Sequence, residues 1–141
     1  MKSIRQVLQG KKPLVTATAS ESVFSALEKM AAKDVGALLV MDGPKLAGIF
    51  SERDYARKVA LAGKHSKETT VGSVMTEKVL YVTPEQTVSQ CLAIMTEKRF
   101  RHLPVIENDK VVGIISIGDL VKEKIAEQSF IIEQLERYIT T

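Results

Sequence analysis

Two stretches of the sequence place a glycine, a serine and an aspartate at identical spacing beside apolar residues. Residues 48–54 read GIFSERD and residues 113–119 read GIISIGD. A carboxylate in the first turn of a helix can accept two hydrogen bonds from a sugar diol, while the serine hydroxyl and the nearby backbone amides can bind a phosphate. The spacing therefore favours binding of a sugar phosphate. The two polar pairs are Ser51 with Asp54 and Ser116 with Asp119.

The same spacing also has a purely structural interpretation. A serine followed three residues later by an acid forms a capping box, in which the acid serves the backbone and the helix dipole. For either copy alone, capping is the simpler explanation. Gly118 favours binding instead, because glycine inside a helix costs about 1 kcal/mol relative to alanine and is tolerated where the backbone approaches another group closely. Both interpretations stay open at this point.

The motifs belong to two halves of the chain that match each other. Matching positions are always separated by the same number of residues, the number that separates Val23 from Val88, and we call this separation the offset of the repeat. Hydrophobic, glycine, serine and aspartate positions all match without a gap, as far as Asp54 with Asp119. Chance similarity between two amphipathic segments does not explain matching glycines, serines and acids. The sequence therefore contains an internal repeat.

Each half contains the same predicted elements. Apolar residues recur at helical spacing within 23–31 and 88–95, and two short apolar runs follow each helix. Turn-forming residues at 42–44 and 108–109 separate these runs, which predicts two hairpins. A further helix begins near each motif serine. Each half therefore reads strand, helix, strand, strand, helix, with a three-stranded sheet.

A unit of this size is too small to bury a core of its own. We therefore predict an α/β (α+β) fold in which two repeats pack sheet against sheet about a pseudo-twofold axis. The predicted divisions are a first repeat with an N-terminal helix at 1–62, a connector at 63–73, a second repeat at 74–125 and a helical extension at 126–141. An apolar stripe continues along that extension, which predicts a second copy as its partner and hence a homodimer.

Composition excludes several classes of protein. The net charge of +3 is milder than the clustered basicity of nucleic-acid-binding surfaces. A single cysteine, Cys91, excludes an intramolecular disulfide, and its place on the apolar face of a helix predicts an inert buried thiol. Residues 1–13 lack the apolar core of a signal peptide, and no uncharged apolar run is long enough for a bilayer. We expect a cytoplasmic protein without membrane attachment.

The duplicated motif, together with RHLPV at 101–105 and VMT at 74–76, resembles the cystathionine β-synthase (CBS) domain pair. The resemblance extends roughly from Ile4 to Ile125. It implies a stand-alone, non-enzymatic regulatory module without a catalytic cofactor or metal. It also implies a bound adenosine compound, namely AMP, ADP, ATP, an NAD-type dinucleotide or S-adenosylmethionine, and a regulated partner protein that the sequence does not identify.

In such pairs, each cleft combines a ribose-binding aspartate from one repeat with adenine-binding backbone from the other. The resemblance assigns to the first cleft Ser51, Arg53, Asp54, Thr76, Tyr81, Phe100, Arg101 and His102. It assigns to the second cleft Ser116, Gly118, Asp119, Lys11, Lys12, Thr16, Val35, Gly36 and Ala37. Because the two linings differ, we expect unequal ligands or affinities, and the sequence does not tell which cleft fills first.

Several side chains also have an individual interpretation. Arg99 and Arg101 lie beside the first cleft and suit phosphate neutralisation, although solvated strand-edge arginines are the alternative. Arg53 lies near a helix start, where its charge opposes the dipole, so binding of an anion is one interpretation and a role without a ligand is the alternative. His102 is expected to line the cleft, since no reactive partner marks it as a base. His65 and His102 are too far apart in sequence to predict a metal site.

Two other functions stay open beside the leading one. The chain is an interaction protein if it dimerises but its clefts bind no adenosine compound. Nucleic-acid binding is the other alternative, but the mild charge and the aromatic residues at core-like positions argue against it. An enzyme is not expected, because the sequence offers no activated nucleophile, metal-ligand set or acid–base couple.

Overall fold

The computed structural model describes residues 2–11 and 13–140 of the chain, so the predicted site residue Lys12 lies outside the described residues. The helices are α1 (Ile4–Gln9), α2 (Val23–Lys33), α3 (Glu52–Tyr55, continued by a π-helical turn at Ala56–Ala60), α4 (Val71–Val74), α5 (Val88–Lys98) and α6 (Ile117–Thr140). The strands are β1 (Thr16–Ala17), β2 (Ala37–Asp42), β3 (Lys45–Ser51), β4 (His102–Glu107) and β5 (Lys110–Ser116).

The central elements of the two halves repeat at the predicted constant offset. The offset relates α2 to α5, β2 to β4 and β3 to β5 at both ends of each element. Even the irregularities repeat, because the pairing register shifts between Val40 and Met41 in one hairpin and between Val105 and Ile106 in the other. The internal repeat and the mixed α+β fold are confirmed.

Local signals explain where the paired helices begin and end. Thr87 accepts the backbone N–H of Gln90, and the Gln90 side chain accepts the backbone N–H of Thr87, which completes the predicted capping box of α5. Ser22 caps α2 in the same place. Both helices end on a left-handed residue, Asp34 or Arg99, and these two residues also occupy equivalent positions of the repeat.

Both predicted hairpins are present, with two-residue turns. Gly43 adopts a φ of 59° in the first turn, where Pro44 follows it. Asn108 and Asp109 adopt φ values of 52° and 62° in the second. Asparagine and aspartate tolerate the left-handed region that such turns need, as glycine does. The turn chemistry therefore differs while the hairpin geometry is kept.

The first strand is where the two halves differ. In the first half β1 pairs in parallel with β2, and the N–H of Leu39 donates to the carbonyl of Val15 at 3.2 Å. In the second half the equivalent pairing is an isolated bridge between Val82 and Val105, so the predicted third strand is wrong there. Pro104 occupies the position equivalent to Leu39 and has no N–H to donate, which removes this hydrogen bond from the ladder.

The hydrophobic core consists of three clusters of buried side chains. One cluster lies within each half, between its helices and its sheet. The third lies between the sheets, where Leu39 and Ile49 of the first half pack with Val111 and Ile114 of the second. The predicted packing of sheet against sheet is therefore confirmed.

Two short helices exchange between the halves. The N-terminal helix α1 places Ile4 in the core of the second half, and its backbone N–H donates to the carbonyl of Gln86 at 2.8 Å. Helix α4 places Val71 in the core of the first half, and its N–H donates to Glu21 at 2.8 Å. The predicted domain boundaries stay a prediction, but packing crosses them in both directions.

Candidate functional site

Each motif serine and aspartate forms a capping box at the start of its helix. The N–H of Ser51 donates to Asp54 Oδ2 at 3.0 Å, and the N–H of Asp54 donates to Ser51 Oγ at 3.2 Å. The same reciprocal pair joins Ser116 and Asp119, at 2.8 and 3.1 Å. The capping interpretation is therefore realised in both halves. It leaves open whether the carboxylates also serve a ligand.

Asp54 is the more enclosed of the two carboxylates. The residue is only 8% exposed. Oδ2 accepts hydrogen bonds from the N–H and the hydroxyl of Ser51, while Oδ1 accepts from the hydroxyl of Thr76 at 3.2 Å and pairs with Lys58 Nζ at 3.0 Å. Both oxygens therefore have protein partners, and a ligand hydroxyl must share or replace one of them.

Asp119 is more open. Its side chain is 28% exposed, and Oδ2 accepts hydrogen bonds from the N–H of Ser116 and from Lys11 Nζ. Within the described part of the chain, no hydrogen bond reaches Oδ1. Burial on its own raises the pKa of this carboxyl, but the hydrogen bonds and the positive charge of Lys11 outweigh it and lower the pKa below its usual range. Asp119 is therefore ionised, with one oxygen available.

The two halves use equivalent positions to contact their aspartates. Thr76 and Lys11 are related by the offset of the repeat, and each reaches the motif carboxylate from the segment that follows an exchanged helix. One contact is a neutral hydroxyl and the other is an ammonium. The same backbone framework therefore holds two chemically different sites.

The first cleft is a cavity of about 480 Å³ at the motif of the first half. Its lining contains seven of the eight residues assigned to it from the sequence: Ser51, Arg53, Asp54, Thr76, Phe100, Arg101 and His102. Tyr81 does not line it and is 58% exposed.

The second cleft is a cavity of about 500 Å³ at the motif of the second half. Six residues assigned to it line the cavity: Lys11, Val35, Gly36, Ala37, Ser116 and Asp119. Thr16 and Gly118 do not line it. Thr16 is the position equivalent to Tyr81, so in both halves this position lies outside the cavity lining. A Cβ on Gly118 would meet only Ser116 Oγ, at 3.7 Å, so no close backbone approach within the described chain explains this glycine.

Sequence reasoning missed several lining residues. Arg57 and Lys58 line the first cleft one helical turn after the motif, and Lys33 and Asp34 line the second at the end of α2. The sequence carried a signal for the first pair, because Arg57 and Lys58 follow Asp54 by three and four positions and therefore lie on the same helix face. The second pair carried none, since its approach to the cleft depends on how the two halves pack.

Gly36 and His102 line both clefts and form the wall between them. A Cβ on Gly36 would lie 3.7 Å from His102 Nε2, so the histidine ring fills the space that this glycine leaves. Burial lowers the pKa of His102, the charges of Lys11 and Arg101 lower it further, and Asp119 opposes them. The ring is therefore neutral at pH 7.

The clefts differ in charge. Five basic and two acidic residues line the first: Arg53, Arg57, Lys58, Arg99, Arg101, Glu52 and Asp54. Of the residues that the structure describes, two basic and two acidic ones line the second: Lys11, Lys33, Asp34 and Asp119. Among the described residues, the lining of the first cleft is therefore strongly positive, whereas the charges that line the second cleft balance.

Other kinds of site find little support in the described residues. Residues 2–11 and 13–140 contain no group of three histidine, cysteine, aspartate or glutamate side chains that could hold a metal ion. Cys91 is buried, as expected, and burial raises the pKa of its thiol to about 11. Along the same described ranges, every helix is too short or too polar to cross a membrane.

Known proteins resemble this chain over both halves. The profile of the CBS domain family matches residues 4–61 and 71–126. The mitochondrial CBS domain-containing protein CBSX3 of Arabidopsis thaliana is 41% identical over 127 residues, which cover 86% of this chain and 62% of the plant protein. The chain spans only 22% of another Arabidopsis relative, CBSCBSPB5, at 35% identity.

Solved structures share the whole fold. A protein with CBS domains from Burkholderia ambifaria MC40-6 is 50% identical, with a TM-score of 0.86 over 90% of this chain and 96% of that one. The hexameric CBS-CP12 protein of bloom-forming cyanobacteria is 28% identical, with a TM-score of 0.76 over 84% of this chain and 70% of that one. The predicted resemblance is confirmed.

Proposed function

This chain belongs to the CBS domain family, and from that premise we propose that it is a non-enzymatic regulatory module that binds adenine nucleotides in its two clefts. The candidate ligands are AMP, ADP, ATP and NAD(H). One observation carries the proposal: each motif serine and aspartate lie in the wall of a cavity that residues of the other half complete. Both volumes fall within the range of about 300 to 1,000 Å³ that is typical of small-molecule sites.

The second cleft offers the simplest ribose contact. Oδ1 of Asp119 accepts no hydrogen bond from the described residues, so a ribose hydroxyl can donate to it without displacing the capping contacts at Oδ2. In the first cleft, a ribose hydroxyl has to share an oxygen of Asp54 with its present partners or displace Thr76 or Lys58. The apolar side of the second cleft, with Leu14 and Val35, suits the face of a purine.

A thermal-shift panel tests this function. AMP, ADP, ATP, NAD and NADH are expected to raise the melting temperature, because a ligand that binds only the native state stabilises it. The double variant Asp54→Ala plus Asp119→Ala is expected to lose this response. If capping is the only role of the two acids, that variant is less stable but responds as the wild type does.

A matched control separates binding from cap loss. Ser22 and Thr87 cap α2 and α5 away from both clefts, so Ser22→Ala plus Thr87→Ala also removes two caps. This variant should lose stability, by about 1 kcal/mol per cap, and keep its response to nucleotides.

Absence of any thermal response in the wild type would instead favour a plain interaction protein. Binding of an oligonucleotide that weakens as the salt concentration rises would favour nucleic-acid binding.

We further propose that the module is a homodimer joined through α6. Apolar residues recur along this helix at alternating spacings of four and three, with Gln128 in the one polar position. All of them are exposed: Val121, Ile125, Ile132, Leu135 and Ile139. Isoleucine occupies the a positions 125, 132 and 139, and the d positions hold Val121, Gln128 and Leu135, so the stripe can pack against the same helix of a second copy. Self-association also occurs in the family, since the cyanobacterial relative is described as hexameric.

Charge indicates the direction of the paired helices. Lys122 and Glu136 occupy e positions of this heptad pattern, on either side of Ser129. In an antiparallel pair, e positions face e positions, so Lys122 approaches the partner's Glu136 and Ser129 approaches its own copy. A parallel pair brings neither together. We therefore propose an antiparallel arrangement.

Solution mass and cross-linking test this interface. The wild type should have twice the 15.5 kDa mass of one chain, and Ile132→Glu should be monomeric. Phe130→Ser is the matched control, because Phe130 is equally exposed but points away from the heptad face. Ser129→Cys should form an interchain disulfide only if the helices are antiparallel, and the buried Cys91 does not compete. A monomeric wild type contradicts the dimer.

The remaining parts of the proposal concern the cell. We propose a cytoplasmic location, since the single thiol is buried and the fold needs no disulfide. We expect that ligand binding in a cleft changes how the repeats or the two copies pack against each other. The regulated partner protein is expected to recognise this change.

A further inference from the structure

The arginines of this chain fall into two groups. Arg5 pairs with Glu85 and Glu107, and Arg137 pairs with Glu133 at 2.9 Å, so the arginines outside the clefts have carboxylate partners. The other four make no ion pair with any residue in the described ranges. All four line the first cleft: Arg53, Arg57, Arg99 and Arg101.

The repeat provides an internal reference for this asymmetry. At the equivalent positions of the second cleft, Gly118 replaces Arg53, Asp34 replaces Arg99 and Gly36 replaces Arg101. Lys58 corresponds to Glu123, which pairs with Lys2 at 2.9 Å. At these positions the difference in charge comes from substitutions on equivalent backbone. The fourth arginine, Arg57, corresponds to Lys122, which is also basic but does not line the second cleft.

Unpaired cations in one cavity repel each other. A guanidinium binds phosphate oxygens through two parallel hydrogen bonds and keeps its charge at every physiological pH. Each phosphate added to a nucleotide brings further negative charge, which the four arginines of the first cleft are placed to neutralise. Among the described residues of the second cleft, Lys11 already pairs with Asp119, and the lining also contains Lys33 and Asp34, one of each charge.

We propose that the first cleft selects adenine nucleotides with two or three phosphates, and that the second cleft binds nucleotides without regard to phosphate number. This inference rests on the proposed function, since it divides the proposed ligands between the two clefts. Phe100 at the first cleft supplies an aromatic face for the base, where the second cleft has Val35.

Titration calorimetry on single-cleft variants tests the proposal. Asp119→Ala leaves the first cleft intact, and adenosine, AMP, ADP and ATP are titrated into it at fixed salt. The affinity should rise by about tenfold or more from AMP to ATP, as one additional charge-assisted contact provides. It should fall steeply as the salt concentration rises. Asp54→Ala leaves the second cleft intact and should bind AMP and ATP with affinities within about threefold of each other.

Two further variants test the phosphate preference of the first cleft without relying on Asp54→Ala, in case that variant does not fold. Arg57→Gln plus Arg99→Gln in the Asp119→Ala background should abolish the preference for ATP over AMP. Lys45→Gln plus Lys64→Gln removes the same net charge from exposed positions outside both clefts and should leave the preference unchanged.

The outcomes also separate this inference from the proposed function. Equal affinity for AMP and ATP in the first cleft, or an unchanged preference after loss of the two arginines, overturns the inference while nucleotide binding stands. If no adenosine compound binds the wild type at all, the proposed function itself fails.

Discussion

The two clefts have nearly equal volumes, of about 480 and 500 Å³, and equivalent capping boxes, yet they differ in almost every charged side chain. In one, the motif carboxylate is enclosed by four donors and arginines line the cavity. In the other, the carboxylate is open on one side and the charges balance. Duplication preserved what the backbone requires, namely glycine, serine and aspartate at the strand-to-helix turn. Side chains facing the cavity were free to diverge.

We expect the largest difference between the clefts when each motif aspartate is replaced by alanine and the free energy of unfolding is measured. Asp54→Ala leaves the hydroxyl of Thr76, Lys58 and the N–H of Ser51 without their acceptor in an enclosed place, so the free energy of unfolding should fall by about 3 kcal/mol. Asp119→Ala should cost about 1 kcal/mol, because water can replace the more exposed carboxylate. Urea denaturation measures both, and equal losses would contradict the difference in enclosure.

The next comparison concerns the motif glycines. A Cβ on Gly48 would lie 2.7 Å from the carbonyl oxygen of Thr76, whereas one on Gly113 would meet Leu8 Cδ2 at 2.6 Å. A leucine side chain can rotate away, but a backbone carbonyl that is paired with Ile49 cannot. Gly48→Ala should therefore destabilise the protein by about 2 kcal/mol and Gly113→Ala by less than about 1 kcal/mol. Melting temperatures of the two single variants test this order.

The smallest expected effect concerns the wall between the clefts. Burial and the charges of Lys11 and Arg101 lower the pKa of His102 in the native state, so below pH 6.5 the unfolded chain takes up a proton that the native protein resists. The free energy of unfolding should thus fall between pH 7 and 5. His102→Gln should show a shallower decline, and His65→Gln, at an exposed position, should follow the wild type. Denaturation at several pH values provides the measurement, and parallel curves for wild type and His102→Gln would exclude this role.

Much of the fold could be predicted because its signals are local. The elements that recur at one offset, the capping box of Thr87 and both hairpin turns depend on residues close in sequence, and each is present in the structure. The incomplete sheet of the second half also had a visible signal. Pro104 stands where the first half has Leu39, and a proline cannot donate to a neighbouring strand.

The site was harder to predict, because lining a cavity depends on which way each element faces after packing. Thr16 and Tyr81, which share one position in the repeat, both lie outside the cavity linings. Arg57 and Lys58 were missed although helical spacing carried their signal. The ligand-binding roles of the residues that do line the clefts stay proposals.

The sequence by itself determined the duplication, the helix caps and the chemical inventory of each half, because these follow from residue types and short-range spacing. Only the tertiary structure decided that α1 and α4 exchange between the halves and that Gly36 and His102 form a common wall. It also decided that one cavity is lined by four arginines that have no ion-pair partner among the described residues. These features join residues far apart in the chain, and their positions are fixed by the burial of apolar surface between the two sheets rather than by any local preference.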